Sequence, residues 1–117
     1  MLNRVEIIGN VGNEPEMRFT PAGKPVTSFS VAVNSKFGEK STTEWVNVVA
    51  WNKLAENCNQ YLNKGQQVYV EGRLQSSSWD DKEGSKHYKT EVVATKVLFL
   101  GKRNQSSDLE EELDMPF

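Results

Sequence analysis

An all-β barrel carrying one helix is the fold class this sequence predicts. Three observations predict it. Five separate runs are rich in strand-favouring residues or alternate apolar with polar, and only one stretch has helical period. That stretch falls between the third and fourth strand runs. At 117 residues the chain is long enough for one hydrophobic core and too short for two ordinary domains.

The first strand run is "RVEIIGNVG". The second, "VTSFSVAV", puts Phe29, Val31 and Val33 on one face, and the third is "TEWVNVVAW". Between the first two, "TPAGKPV" places Pro21 and Gly23 at the second and fourth positions of a type I turn. "NKLAENCNQYLNKG" then changes to helical spacing. Leu54, Cys58 and Leu62 recur every four residues, Asn52 is the expected cap and Gly65 follows the end. Cys58 lies on the apolar stripe and is expected as a packed thiol. "QQVYVEGRLQSSSW" and "HYKTEVVATKVLFLG" complete the set as two long strands joined by the polar loop "DDKEGSK".

Five strands with a helix between the third and fourth is the layout of the OB-fold, a partly open Greek-key barrel. In the last strand, Val93, Val97 and Phe99 share one face, and Val92, Ala94, Leu98 and Leu100 share the other. Closing the barrel buries one of these faces. The second apolar face predicts contact with another subunit.

Composition removes several function classes. No stretch approaches the roughly 20 apolar residues of a spanning helix, and the start "MLNRVEIIGN" lacks the pattern of a secretory leader. These features predict a cytoplasmic protein. One cysteine and one histidine, Cys58 and His87, supply neither a disulfide framework nor a four-ligand zinc site, so no metal and no cofactor is expected. No nucleophile–base pair or phosphate-cradling glycine loop has the context that catalysis needs, and an enzyme is not expected. Charge is unevenly spread: residues 108–117 hold five acids and no base, and the remainder holds fourteen Lys/Arg against eleven acids. A mildly basic body with an acidic end points to a polyanionic partner.

Aromatic and basic residues carry the functional signal. In the third strand, period two places Val46, Val48 and Ala50 inward and Trp45, Asn47, Val49 and Trp51 on the opposite face. In the fourth, Val68, Val70 and Leu74 read inward and Tyr69, Arg73 and Trp79 outward. Phe37 lies in the polar segment "SKFGEKSTTE", which neither strand nor core explains. Arg18, Lys36, Lys53, Lys64, Arg73 and Lys86 are the candidate phosphate contacts among the cations interleaved with these rings. Bases stack on exposed aromatics whatever their identity and cations follow the phosphates, which is the mixture that sequence-tolerant single-strand binding requires.

The runs "IIGNVGNEPEMRFTPAGKPV", "TEWVNVVAWNKLAE", "YLNKGQQVYVEGRL" and the ending "DMPF" resemble the bacterial single-stranded-DNA-binding (SSB) family. The likeness covers residues 3 to 101 and the last ten. It implies a non-enzymatic homotetramer that wraps single-stranded DNA without sequence preference. By the same resemblance, Trp45, Trp51 and Trp79 match base-stacking positions, with Phe37 a looser fourth. Lys53 and Lys64 match phosphate contacts, and Tyr69 matches an inter-subunit residue, to which Val92 and Leu98 are added as interface candidates. The sequence departs from the family at Gln75–Ser78, before Trp79, and at Val46–Asn47, after Trp45, where relatives often carry cations.

The resulting organisation is an OB-fold domain over residues 1–101, a short linker over 102–107 and an acidic tip over 108–117. In the family such a tip docks onto replication, recombination and repair enzymes, which assigns docking to Asp114, Met115, Pro116 and Phe117 and places the protein with the nucleoid. Two rival readings remain: a replication adaptor whose aromatic face binds protein, and an enzyme subunit using the barrel for tRNA or oligosaccharide. Titration with oligo-dT separates them.

Overall fold

The computed structural model describes residues 1–101. The linker 102–107 and the tip, with Asp114, Met115, Pro116 and Phe117, lie outside the described residues. Six strands and one helix follow in the order β1 (Val5–Val11), β2 (Glu16–Phe19), β3 (Pro25–Phe37), β4 (Lys40–Trp51), α1 (Asn52–Tyr61), β5 (Gln67–Asp80) and β6 (Lys86–Leu100). Antiparallel pairing joins β1 to β5, β5 to β6 and β3 to β4, and β4 meets β6 in parallel. Two further pairs, Asn10 with Ala32 and Val11 with Val31, join β1 to β3 and close a five-stranded barrel. The expected OB-fold is therefore present, with the helix after the third barrel strand.

β2 is an addition to the expected five. Its four residues pair with β3 alone, from Glu16 opposite Ser28 to Phe19 opposite Pro25. The "TPAGK" turn consequently joins β2 to β3, not the first barrel strand to the second. As expected, the Gly23 N–H donates to the Thr20 carbonyl at 2.8 Å. The polar segment "SKFGEKSTTE", whose sequence shows no strand pattern, is a hairpin: β3 runs through Phe37 and β4 resumes at Lys40, around Gly38 at φ +66°. Beyond the barrel rim both faces of this hairpin meet solvent, so its sequence is polar although its backbone is fully paired.

Inside, Phe29, Val31, Val48, Ala50, Val68, Val70, Val92 and Ala94 form one core with Ala55, Cys58 and Leu62 of the helix region. A buried hydrogen bond from Thr27 Oγ1 to the Ala55 carbonyl, 2.7 Å long, ties α1 to β3. Burial pushes the Cys58 thiol up to about 11, which keeps it protonated and unreactive. Asn52 does not cap the helix. It adopts φ +59°, a region asparagine tolerates better than most residues, and Trp51 precedes the first turn without a capping side chain.

The last strand corrects the predicted faces. Glu71 pairs with Lys96 but Gly72 pairs with Ala94, so Thr95 is an extra residue in β6. A bulge of this kind reverses side-chain parity along the strand. Val92 and Ala94 therefore join Val97 and Phe99 on the inward side. Val92 is 1% exposed and belongs to the chain's own core, which removes it from the candidate subunit interface. Leu98, beyond the bulge and opposite Tyr69, stays exposed on the outer face.

Candidate functional site

Because the barrel core is filled, any ligand surface must use the outward-facing parity. β3 and β4 pair without interruption from Val26–Trp51 to Phe37–Lys40, which puts Trp45 and Trp51 on the outer face with Ser28, Ser30 and Asn47. Trp45 is 62% exposed and Trp51 39%, in keeping with the predicted parity. Arg18 of β2 is opposite Val26, and Val26 is opposite Trp51, so a cation and an indole flank one buried valine in a single row. At Gly12 an added Cβ would lie 2.4 Å from Trp45 Cζ3 and 3.0 Å from Ser30 Oγ. The glycine thus lets the indole lie down over the β1–β2 connection. Asn13 fixes that connection to β3, its Oδ1 accepting from the Ser30 N–H at 2.9 Å and from Ser30 Oγ at 2.6 Å.

The same surface continues across the parallel seam. Val49 of β4 pairs with Val93 of β6, and Val93 with Arg73 of β5. Towards the β5–β6 hairpin tip, Gln75, Ser77 and Trp79 face Glu91, Lys89 and His87 in turn. Trp79 is 50% exposed and its ring stacks on His87, centroids 5.5 Å apart and planes at 22°. A groove of about 240 Å³, lined by Asn13, Ser30, Asn47, Lys89 and Glu91 among others, lies between the β3–β4 and β5–β6 portions. Lys89 pairs with Glu91 at 3.2 Å beside it. All three tryptophans thus share one outer surface spanning β4, β6 and β5.

Not every predicted residue joins that surface. Phe37 is 87% exposed, but its parity is that of Phe29 and Val31, so it stands on the opposite face of the β3–β4 hairpin from Trp45. Lys36 has the tryptophan parity, opposite Ser41. Lys86 pairs with Asp80 and has the opposite parity to Trp79. Lys53 follows Trp51 in the first turn of α1, 3.9 Å from Glu56. Lys64 lies in the connection after α1, where its N–H donates to Glu14 Oε2 at 3.4 Å.

Four residues before Arg73 and on the same outward parity of β5, Tyr69 is opposite both Ile8 and Leu98, and Ile8 is exposed. Its hydroxyl donates to Glu71 Oε1 at 2.8 Å, and Arg4 bridges Glu6 at 2.8 Å and Glu71 at 3.4 Å. The Glu71 bond, with burial and the surrounding negative charge, pushes the Tyr69 hydroxyl up to about 12.

Sequence reasoning missed His87 as a partner of Trp79 and Ile8 as a neighbour of Tyr69. Both follow from register alone: folding the last hairpin about "DKEGS" brings Trp79 opposite His87. Strand parity by itself carries no register.

Comparison with known proteins decides the family. The model of the single-strand binding protein family matches residues 2–100. The chain belongs to that family. Its members are named for binding rather than catalysis. The single-stranded DNA-binding protein 1 of Chlorobaculum tepidum is 50% identical over 109 residues, covering 88% of this chain and 67% of the relative. The Staphylococcus aureus single-stranded DNA-binding protein is 42% identical over 117 residues, covering 97% and 74%. Among solved structures, the Plasmodium falciparum SSB complex with ssDNA matches with a TM-score of 0.80 at 30% identity, over 86% of this chain and 96% of that one. Among the described residues, no helix is long and apolar enough to cross a membrane, and no cluster of His, Cys, Asp or Glu is placed to hold a metal ion.

Proposed function

We propose that this chain binds single-stranded DNA without base preference, through Trp45, Trp51 and Trp79 as stacking stations. The observation that carries this reading is the outward placement of all three indoles on one continuous surface of a barrel whose core is already filled. Half-exposed indoles have no packing reason to face water, whereas a stacked base covers each of them. The family and the DNA-bound structural relative support the same assignment.

Arg18, Lys36 and Arg73 lie on the tryptophan surface and follow the phosphates there. Lys53 and Lys64 extend that path past the helix. Phe37 and Lys86, at the two hairpin tips with the opposite parity, contact a strand that wraps around the tips rather than one confined to the face. The exposed Ile8 and Leu98 beside Tyr69 support assembly into a homotetramer through β1, β5 and β6. The acidic tip, with Asp114, Met115, Pro116 and Phe117, recruits replication, recombination and repair enzymes to the coated strand, which places the protein at the cytoplasmic DNA.

Titration of the full chain with oligo-dT while following tryptophan emission tests the reading. Strong quenching, equally obtained with mixed-sequence strands and much weaker with duplex, is expected. Unchanged emission with no binding would leave the outer face to a protein partner.

A further inference from the structure

His87 is the only histidine of the chain, and it stands where the tryptophan surface reaches the β5–β6 hairpin tip. Its ring lies against Trp79 with the geometry of an offset stack, 5.5 Å between centroids and 22° between planes. The ring is also held at its edge, with Nε2 2.8 Å from Asp81 Oδ2. Asp81 is itself fixed by the turn, since its Oδ1 accepts from the Glu83 N–H at 2.9 Å and the Ser85 N–H at 2.8 Å. Both rings remain about half exposed.

We propose that His87 is a further DNA-contacting residue of this surface: its ring, stacked on Trp79 and held by Asp81, makes the single indole a two-ring platform for bases. The inference rests on the single-strand binding reading above. A base laid on an isolated indole at a hairpin tip meets a side chain with rotamer freedom, whereas Trp79 and His87 hold each other and Asp81 holds the pair. Less ordering is then left to be done on binding.

The test is oligo-dT binding by the full chain at constant ionic strength. His87→Ala is expected to bind about fivefold more weakly than wild type, the low end of the worth of a stacked base. His87→Phe keeps a flat ring against Trp79, so it should hold the wild-type affinity. Equal affinities of His87→Ala and wild type would overturn the proposal, as would a loss in His87→Phe as large as that in His87→Ala. A wild type that ignores oligo-dT would instead bring down the DNA-binding reading, and this inference with it.

Discussion

Gly12 shows how a residue without a side chain can set a binding surface. Any Cβ there would collide with the Trp45 ring at 2.4 Å, and the ring, unlike backbone, can move away. Gly12→Ala should therefore displace the indole and weaken single-strand binding towards the level of Trp45→Ala, a loss of about 1 to 3 kcal/mol per site. Thermal unfolding should shift little in either variant, since Trp45 is outside the core. A large drop in melting temperature with unchanged affinity of the folded fraction would make Trp45 a packing residue. Tyr69 offers a second measurement at this scale. Its hydroxyl ionises near 10 in an unfolded chain and at about 12 in the folded one. Folding thus favours the protonated form. The stabilisation from its bond to Glu71 is complete below about pH 10 and disappears as pH rises through about 12. Denaturant unfolding of wild type and Tyr69→Phe should differ by a constant amount from pH 7 to 9, and the difference should shrink above pH 10. A difference that grows with pH would contradict the assigned bond.

At the scale of elements, the barrel depends on places where two backbones come unusually close. A Cβ on Gly72 would lie 2.1 Å from the Val93 carbonyl oxygen, and one on Gly9 would lie 2.4 Å from that of Ala32, at the seam between β1 and β3. Backbone cannot swing aside as an indole can. Gly72→Ala should cost about 3 kcal/mol or more, read as a fall in the urea midpoint. Gly12→Ala, by contrast, should leave that midpoint nearly unchanged. The same region explains what was legible in the sequence. Strand parity placed Trp45, Trp51 and Trp79 correctly because β4 and β5 run past them without an extra residue. It failed at Val92 because the bulge at Thr95 is set by the partner strand's approach at Gly72, which no local period reports. β2 escaped notice because four residues, two of them charged, pair on one side only. The hairpin of Phe37 gave no strand signal because polar composition reports solvent on both faces and says nothing of pairing. Asn52 read as a cap on residue type, but its left-handed backbone makes it the corner between β4 and α1.

The whole molecule carries little net charge for a binder of polyanions. Residues 1–101 hold twelve Lys/Arg and eleven Asp/Glu, and three of the cations, Arg4, Lys53 and Lys89, lie within 4 Å of a carboxylate. On the proposed reading, Arg18, Lys36 and Arg73 are the cations that meet phosphates on the tryptophan surface itself, which leaves much of the affinity to stacking. Each phosphate neutralised on a single strand lowers the slope of log K against log salt by about 0.7, so these three predict a slope near −2 per chain, and all six proposed phosphate contacts together a limit near −4. Residues 108–117 add five negative charges and no positive ones. Deleting them should raise oligo-dT affinity in dilute salt, where charge acts over a Debye length of about 30 Å at 10 mM, and change it little near 1 M, where that length is about 3 Å. The truncated chain should therefore show the steeper salt slope, with the two lines meeting at high salt. The measurement is a set of oligo-dT titrations of both chains from 10 mM to 1 M salt. A slope steeper than about −4 for the intact chain would put phosphate contacts rather than rings at the centre of binding. Parallel lines for the two chains would mean that the acidic residues do not reach the field of the tryptophan surface, and that their role is confined to other partners.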